Sequence, residues 1–241
     1  ARYSARNPKE TLAFFSVKPG DVVVEALPGG GWYSKILAPY LGEQGQLIGV
    51  DYSVDMWPHF GGFATPEFIQ QRKNWPAELE LGAKGWAGEK APVTAYTFST
   101  LPDDLEKSAD YVLYIRALHN LARFESKGDF LSKALAETHR VLKDDGFVGV
   151  VQHAMAEEKP DAWAVGDRGY LKRSALIAAF DKAGFELVAE SDINANPKDD
   201  PQDQERVWRL LPSLAVADED KDKYRQIGES NRVTLLFKKK P

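Results

Sequence analysis

The chain has 241 residues, 43% hydrophobic and 28% charged, with 31 basic against 36 acidic side chains, a net charge of -5 and no cysteine. Such a composition builds a core and excludes whole-chain disorder, while the lack of cysteine removes disulfide frameworks, thiolate nucleophiles and cysteine-ligated zinc. No apolar run approaches the roughly 20 residues of a membrane-spanning helix, and the only basic run, Lys238, Lys239 and Lys240, reads as a solvated strand end, which argues against a nucleic-acid partner.

In chain order, apolar strand-like runs alternate with amphipathic helical stretches, the pattern of a parallel sheet covered by helices. A strand is expected at 21–26, after the turn dipeptide Pro19 and Gly20, and a helix at 31–41, where Trp32, Ile36, Leu37, Tyr40 and Leu41 recur at helical spacing and Gly42 marks the stop. Further strands are expected at 46–51, 92–98 and 109–115. A helix at 126–142 places Phe130, Leu131, Ala134, Leu135, Thr138 and Leu142 on one face and is stopped by Asp144, Asp145 and Gly146. A fifth strand at 147–153, a helix at 172–183, a sixth strand at 185–193 and a last one at 232–239 complete the pattern.

The expected fold is therefore α/β, a Rossmann-like seven-stranded, mostly parallel sheet with helices on both faces and an antiparallel last strand. Two connections, 52–91 and 194–231, exceed ordinary loop length and read as insertions in one domain spanning 1–241. The first carries Trp57, Trp75 and Trp86 and reads either as a lid or substrate wall or as a small packing cluster of its own. The second, rich in Asp, Pro and Lys, reads as mostly solvated apart from a short amphipathic segment at 205–211.

The informative window is the Val-rich strand ending at Glu25, followed by Pro28, Gly29, Gly30 and Gly31 and then directly by a helix. Such a turn lets backbone approach a ligand and points unpaired N–H groups at it. Asp51 stands 20 residues after Gly31, at the carboxyl end of the next strand, where an open parallel sheet has its ligand crevice. A carboxylate there can accept both hydroxyls of a ribose, so the parts together indicate an adenosine-containing cofactor. A dinucleotide and S-adenosylmethionine both remain open at this point.

Glu25, Ala26, Leu27, Pro28, Gly29, Gly30 and Gly31 resemble the first motif of class I S-adenosylmethionine-dependent methyltransferases, an acid followed by glycines at alternate positions. Leu101 with Pro102, the run from Ala109 through Arg116 to His119 and Asn120, and Arg140, Val141, Leu142, Lys143 and Gly146 follow in that family's usual order. Asn7 with Pro8 and the segment from Glu10 to Phe15 are similar to a group of bacterial predicted methyltransferases, some of which carry export signals. Departures are Leu27 in place of the family's first glycine, Asp144 and Asp145 where Pro and Gly usually stand, and Thr97, Phe98 and Ser99 where an adenine-contacting Asp is common.

The resemblance implies S-adenosyl-L-methionine as cofactor. Glu25 would organise the turn and accept from the cofactor's amino group, with Pro28, Gly29, Gly30 and Gly31 along it. Asp51 and Tyr52 would hold the ribose side, Thr97, Phe98 and Ser99 the adenine, and Arg116 would line the cofactor or acceptor cavity and, with His119, form the catalytic, reacting end. His119, four residues beyond the fourth strand, is the candidate base, with a packing or capping role as its alternative. Arg116 reads alternatively as a surface ion pair, His153 as a second candidate base, His139 as exposed, and His59 has no assignable role. Tyr3 and Arg6 read as a lid over the pocket or as a simple tether.

Four scattered His without paired spacing do not make a metal site. The functional expectation is methyl transfer to a small or medium acceptor by in-line displacement. The alternatives are a nicotinamide-dependent oxidoreductase, for which no second glycine-rich turn follows residue 109, and a non-catalytic binder on the same fold. The chain opens at Ala1 without Met, which leaves a removed leader open and the compartment cytoplasmic or periplasmic.

Overall fold

The computed structural model describes residues 2–87 and 92–241; the end of the first insertion, 88–91, lies outside them. Two short helices, α1 (Tyr3–Arg6) and α2 (Pro8–Phe15), precede β1 (Val22–Ala26) and α3 (Ser34–Leu41). After β2 (Gln46–Asp51) the first insertion forms a 3-10 turn at Val54–Phe60, then α4 (Pro66–Lys73) and α5 (Trp75–Trp86). There follow β3 (Val93–Thr97), β4 (Ala109–Ile115), α6 (Leu118–Arg123), α7 (Glu125–Gly128), α8 (Phe130–Val141) and β5 (Leu142–Met155). The chain closes with β6 (Leu171–Lys172), α9 (Arg173–Lys182), β7 (Phe185–Ser191), the second insertion with α10 (Lys221–Ile227), and β8 (Arg232–Lys239).

The sheet order is β3-β2-β1-β4-β5-β8-β7, with β6 paired to the end of β5. All neighbours run parallel except β8, which is antiparallel to both β5 and β7. Period-two alternation sends Val24, Ile48, Val112, Val150, Leu235 and Phe237 into a core beneath α6, α8 and α9. The intervening Val23, Leu47, Leu113, Val151 and Leu236 pack against Leu12 and Phe15 of α2 and Leu37, Ala38 and Leu41 of α3. Both faces of the strands are thus covered, which is why they read as continuous apolar runs. Phe180 of α9 stacks on Phe237 at a centroid distance of 4.2 Å and seals the antiparallel end.

The differences from the sequence expectation are local. The helix expected at 126–142 is broken at Asp129, whose φ of 55 puts it in the left-handed region between α7 and α8. The Glu125 carboxylate then accepts from the Leu131 backbone N–H at 2.7 Å and caps the second piece. The fifth strand starts at Leu142, ahead of its expected start at 147, because 143–146 bulge out between the pairs Ala109 with Leu142 and Tyr111 with Phe147. Gly146 is required there, since a Cβ would meet the Asp110 carbonyl at 2.9 Å. β6 is an eighth strand, and its two residues are too short to show a pattern.

Strand order reverses between β1 and β4. An open parallel sheet has its crevice outside the carboxyl ends at such a switch point, and the candidate site is there.

Candidate functional site

A cavity of about 510 Å³ opens at the carboxyl ends of the central strands. Its floor is the segment after β1, with Leu27, Pro28, Gly29 and Gly30; Tyr52 follows β2, Ile115, Arg116 and Ala117 end or follow β4, and His153 lies on β5. His119 and Asn120 of α6 line it too, Trp208, Pro212, Glu229 and Ser230 of the second insertion wall the far side, and Arg2 and Arg6 close it from the amino terminus.

The glycine turn keeps left-handed backbone at alternate positions, with φ of 58 at Leu27, 58 at Gly29 and 70 at Gly31. Leu27 therefore reproduces the conformation that a glycine would adopt more easily, at a cost of about 1–3 kcal/mol, offset by burial of its side chain in the core. Its N–H donates to the Val50 carbonyl at 2.7 Å, tying the turn to β2. A Cβ at Gly29 or Gly30 would meet nothing within 4 Å, so at Gly29 it is the backbone angle, not crowding, that favours glycine.

Glu25 is 2% exposed and lies behind the turn, outside the cavity lining. Its carboxylate accepts from the Ser34 hydroxyl at 2.5 Å, which fixes the start of α3 against the end of β1. Burial pushes this carboxyl up to about 7, with the Ser34 hydrogen bond opposing the rise. The geometry is that of a turn organiser. Gly31 is likewise outside the lining.

Asp51 ends β2 as expected but is 3% exposed and engaged by Arg72 of α4 in an ion pair. Burial raises its carboxyl above the ordinary range, and the Arg72 charge works against that rise. The Arg72 guanidinium lies 4.9 Å from the Trp57 ring centroid and 5.7 Å from that of Trp75, so two Trp of the first insertion hold it in place. Trp57 also meets Tyr52, Phe60 and Phe68 edge-on or tilted at 5.1–5.2 Å. Of the two readings of this insertion, the packing cluster describes its Trp57 side, and Tyr52 is its residue on the main cavity. Tyr52 accepts a hydrogen bond from the Asn120 amide at 2.8 Å.

Phe98 and Ser99 line a second, smaller cavity of about 310 Å³, together with Ser53, Asp55, Met56 and Leu121. Thr97 is buried beside it, its hydroxyl 3.0 Å from those of Ser99 and Thr100. The structure thus brings Pro28, Gly29, Gly30, Tyr52, Arg116 and His119 onto one cavity and places Phe98 and Ser99 on another. Glu25, Gly31, Asp51 and Thr97 lie in the surrounding structure.

Arg116 has φ of 62, and its N–H donates to the Val151 carbonyl at 2.6 Å, which aims the side chain off the end of β4. The guanidinium approaches Glu229 at 3.8 Å. Burial, reinforced by Arg6 and Arg232, lowers its pKa to about 10. His119 is held down to about 4 by burial, against a hydrogen bond from Gln152, whose amide nitrogen is 3.4 Å from His119 Nδ1. His153 is also pushed well below its ordinary value by burial and by neighbouring cationic groups, and its Nδ1 lies 2.5 Å from the Ser230 hydroxyl. The two rings, 5.7 Å apart, are neutral at pH 7. His139, expected exposed, is half-buried against Phe185 at 5.4 Å, and His59 packs near Phe124 and Phe130.

Sequence reasoning assigned no site role to Trp208, which lies in the amphipathic segment 205–211, and missed Glu229 and Ser230, which lie in the part of the insertion read as mostly solvated. It also left Arg6 between lid and tether. Arg6 is 3% exposed, and its Nε donates to both oxygens of Glu229 at 2.9 and 3.0 Å, anchoring α1 over the cavity. Among the described residues, no group of three or more His, Asp or Glu is placed to hold a metal ion. Among the described residues, no helix is long and apolar enough to cross a membrane.

Neither a protein-family model nor a curated protein matches the sequence. Among solved structures, the chain is similar to an S-adenosylmethionine-dependent methyltransferase from Aquifex aeolicus, at 17% identity and a TM-score of 0.54 over 80% of this chain and 87% of the other. It is similar to 1,6-didemethyltoxoflavin-N1-methyltransferase from Burkholderia thailandensis, solved with 1,6-didemethyltoxoflavin and S-adenosylhomocysteine, at 15% identity and a TM-score of 0.53 over 99% and 79%. The [4+2]-cyclase SpnF matches at 16% identity and a TM-score of 0.58 over 98% and 80%. The fold is that of the class I S-adenosylmethionine-dependent methyltransferases, and the cyclase illustrates that the fold alone does not fix the reaction.

Proposed function

We propose that the chain binds S-adenosyl-L-methionine and transfers its methyl group to a small or medium acceptor. The observation that carries this reading is the cavity at the strand-order switch, which joins the Gly29–Gly30 turn to Arg116 and His119. The residues fit the cofactor with one condition. The turn is open above Gly29 and Gly30, and the acid at the end of β2 is present, but Asp51 is buried and Arg72 holds one of its two oxygens, so a ribose would compete with Arg72 for that carboxylate. Pro28, Gly29 and Gly30 would then hold the amino-acid end, Asp51 and Tyr52 the ribose, and Phe98 and Ser99 the base, with Thr97 supporting them. Glu25 acts from behind by holding Ser34.

Bound S-adenosylmethionine supplies an activated methyl group for in-line displacement. The chain's own contribution is alignment, which supplies up to roughly 7–11 kcal/mol in favourable cases without a covalent intermediate. His119 offers a neutral ring at pH 7, and with a pKa near 4 it is a weak base that orients an acceptor more readily than it deprotonates one. We also take 1–241 as one methyltransferase-like domain, because both insertions leave from and return to strands of the same sheet.

A second reading, a non-catalytic binder on this fold, is favoured by the Arg72–Asp51 pair. Calorimetric titration with S-adenosylmethionine, S-adenosylhomocysteine and NAD separates the readings. Binding of the two methionine-derived ligands and not NAD is the expected result. Absence of both at millimolar concentration rejects methyl transfer, and binding without transfer to any acceptor in a broad screen favours the non-catalytic reading.

A further inference from the structure

The chain carries a net charge of -5, yet its main cavity is electropositive. Among the described lining residues, Arg2, Arg6, Lys35 and Arg116 face a single carboxylate, Glu229. His119 and His153 add no charge at pH 7. Glu229 is already shared: Arg6 Nε donates to it at 2.9 and 3.0 Å, Arg232 Nη1 lies at 3.3 Å and Arg116 Nη1 at 3.8 Å. Arg6 and Arg232 are 3% and 4% exposed, so solvent does little to screen them. Asp199, the other acid near Arg232, is committed to Arg209 at 2.7 Å. One buried carboxylate balances one guanidinium, and a surplus of buried positive charge is costly unless something anionic completes it.

Arg116 is the group left to receive that anion. Its side chain makes no hydrogen bond to any described residue, its Nε is buried without a partner, and its nearest acid is beyond hydrogen-bond reach. Its two terminal nitrogens, held in a planar fork, are therefore available, matched to the two oxygens of a carboxylate or phosphate. The residue is held by a left-handed backbone, which points to a constraint set by the site. Trp32, over which the Arg6 guanidinium lies at 4.8 Å, and Trp208, 6.0 Å from the His119 ring, give the same cavity flat apolar walls.

We infer that this cavity binds a small oxyanion-bearing molecule, a carboxylate or a phosphate, on the Arg116 guanidinium, with the Glu229-clamped Arg6 behind it. The inference rests on the methyl-transfer reading only in making that molecule the acceptor. The anion site itself stands on the charge arrangement.

The test is calorimetry on the full chain with sodium benzoate and with sodium phosphate, each with and without saturating S-adenosylhomocysteine. The expected result is binding of at least one anion, weakened roughly tenfold to a hundredfold in Arg116→Gln and partly restored in Arg116→Lys, with S-adenosylhomocysteine affinity held within about threefold. Benzoate alone binding identifies the carboxylate form, and phosphate alone the phosphate form. Arg116→Gln leaves the shorter Arg6 and Arg232 pairs to Glu229 in place, so the fold is retained. Glu229→Gln, which removes the competing carboxylate, is expected to tighten the anion by about threefold or more. Three results overturn the inference: neither anion binds at millimolar concentration, Arg116→Gln leaves anion affinity unchanged, or it weakens S-adenosylhomocysteine as much as the anion. Anion binding with no S-adenosylhomocysteine binding would uphold the site and reject the methyl-transfer reading.

Discussion

The two insertions each bring one charge to the candidate site, in opposite ways. The first turns Arg72 inward onto Asp51 and packs Trp57 against Tyr52, Phe60 and Phe68, so its charge and much of its aromatic surface are satisfied within the chain. The second brings Glu229 beneath three guanidinia and leaves the Arg116 side chain without a hydrogen-bond partner among the described residues. Composition does not separate them, since three Trp fit either a substrate wall or a packing cluster, and an Asp-rich stretch reads as solvated apart from 205–211. What decides an insertion's role is where its charged groups end, because a paired charge closes a surface and an unpaired one invites a ligand.

Breaking each region should therefore give different readouts. The largest effect is expected from Glu229→Ala, which strips the counter-ion from Arg6 and Arg232; breaking a buried pair of this kind costs about 3–5 kcal/mol, measurable by urea unfolding. Trp57→Ala is expected to cost about 3 kcal/mol in the same measurement while leaving benzoate affinity unaltered. Trp208→Ala should do the reverse, with a stability loss of about 1 kcal/mol or less at this half-buried site and a weakened benzoate complex.

The turn that both regions flank has a pH signature. Glu25 has its folded pKa raised from 4.5 to about 7, so its contribution to stability is fully present below 4.5 and is lost as pH rises through 7. The full loss is roughly 3 kcal/mol, and Glu25→Gln should flatten the stability profile over that window. Unchanged pH dependence in that variant would place the titration elsewhere.

The strands were legible because central parallel strands are covered on both faces and read as unbroken apolar runs. β6 was not, having two residues, nor was the break at Asp129, a backbone angle that hydrophobic spacing does not encode. In the site, Pro28, Gly29, Gly30, Arg116 and His119 could be placed because strand ends and the turns after them share one edge of the sheet. The Arg6–Glu229 pair spans 223 residues, and Arg72 reaches Asp51 from a helix with no buried residue, so neither leaves a periodic trace in the sequence. Glu25 was recognised by position, but its partner Ser34 and its place behind the turn required the three-dimensional packing.

If Asp51 holds the cofactor's ribose as proposed, Arg72 of the first insertion is its competitor for that carboxylate. Calorimetric titration of S-adenosylhomocysteine into the wild type, Arg72→Ala and Asp51→Asn tests it most directly. The expected result is measurable binding to the wild type, binding tighter by about tenfold in Arg72→Ala as the competing pair is removed, and loss of binding in Asp51→Asn. Equal affinities in all three proteins, or weaker binding in Arg72→Ala with its fold intact, would contradict it.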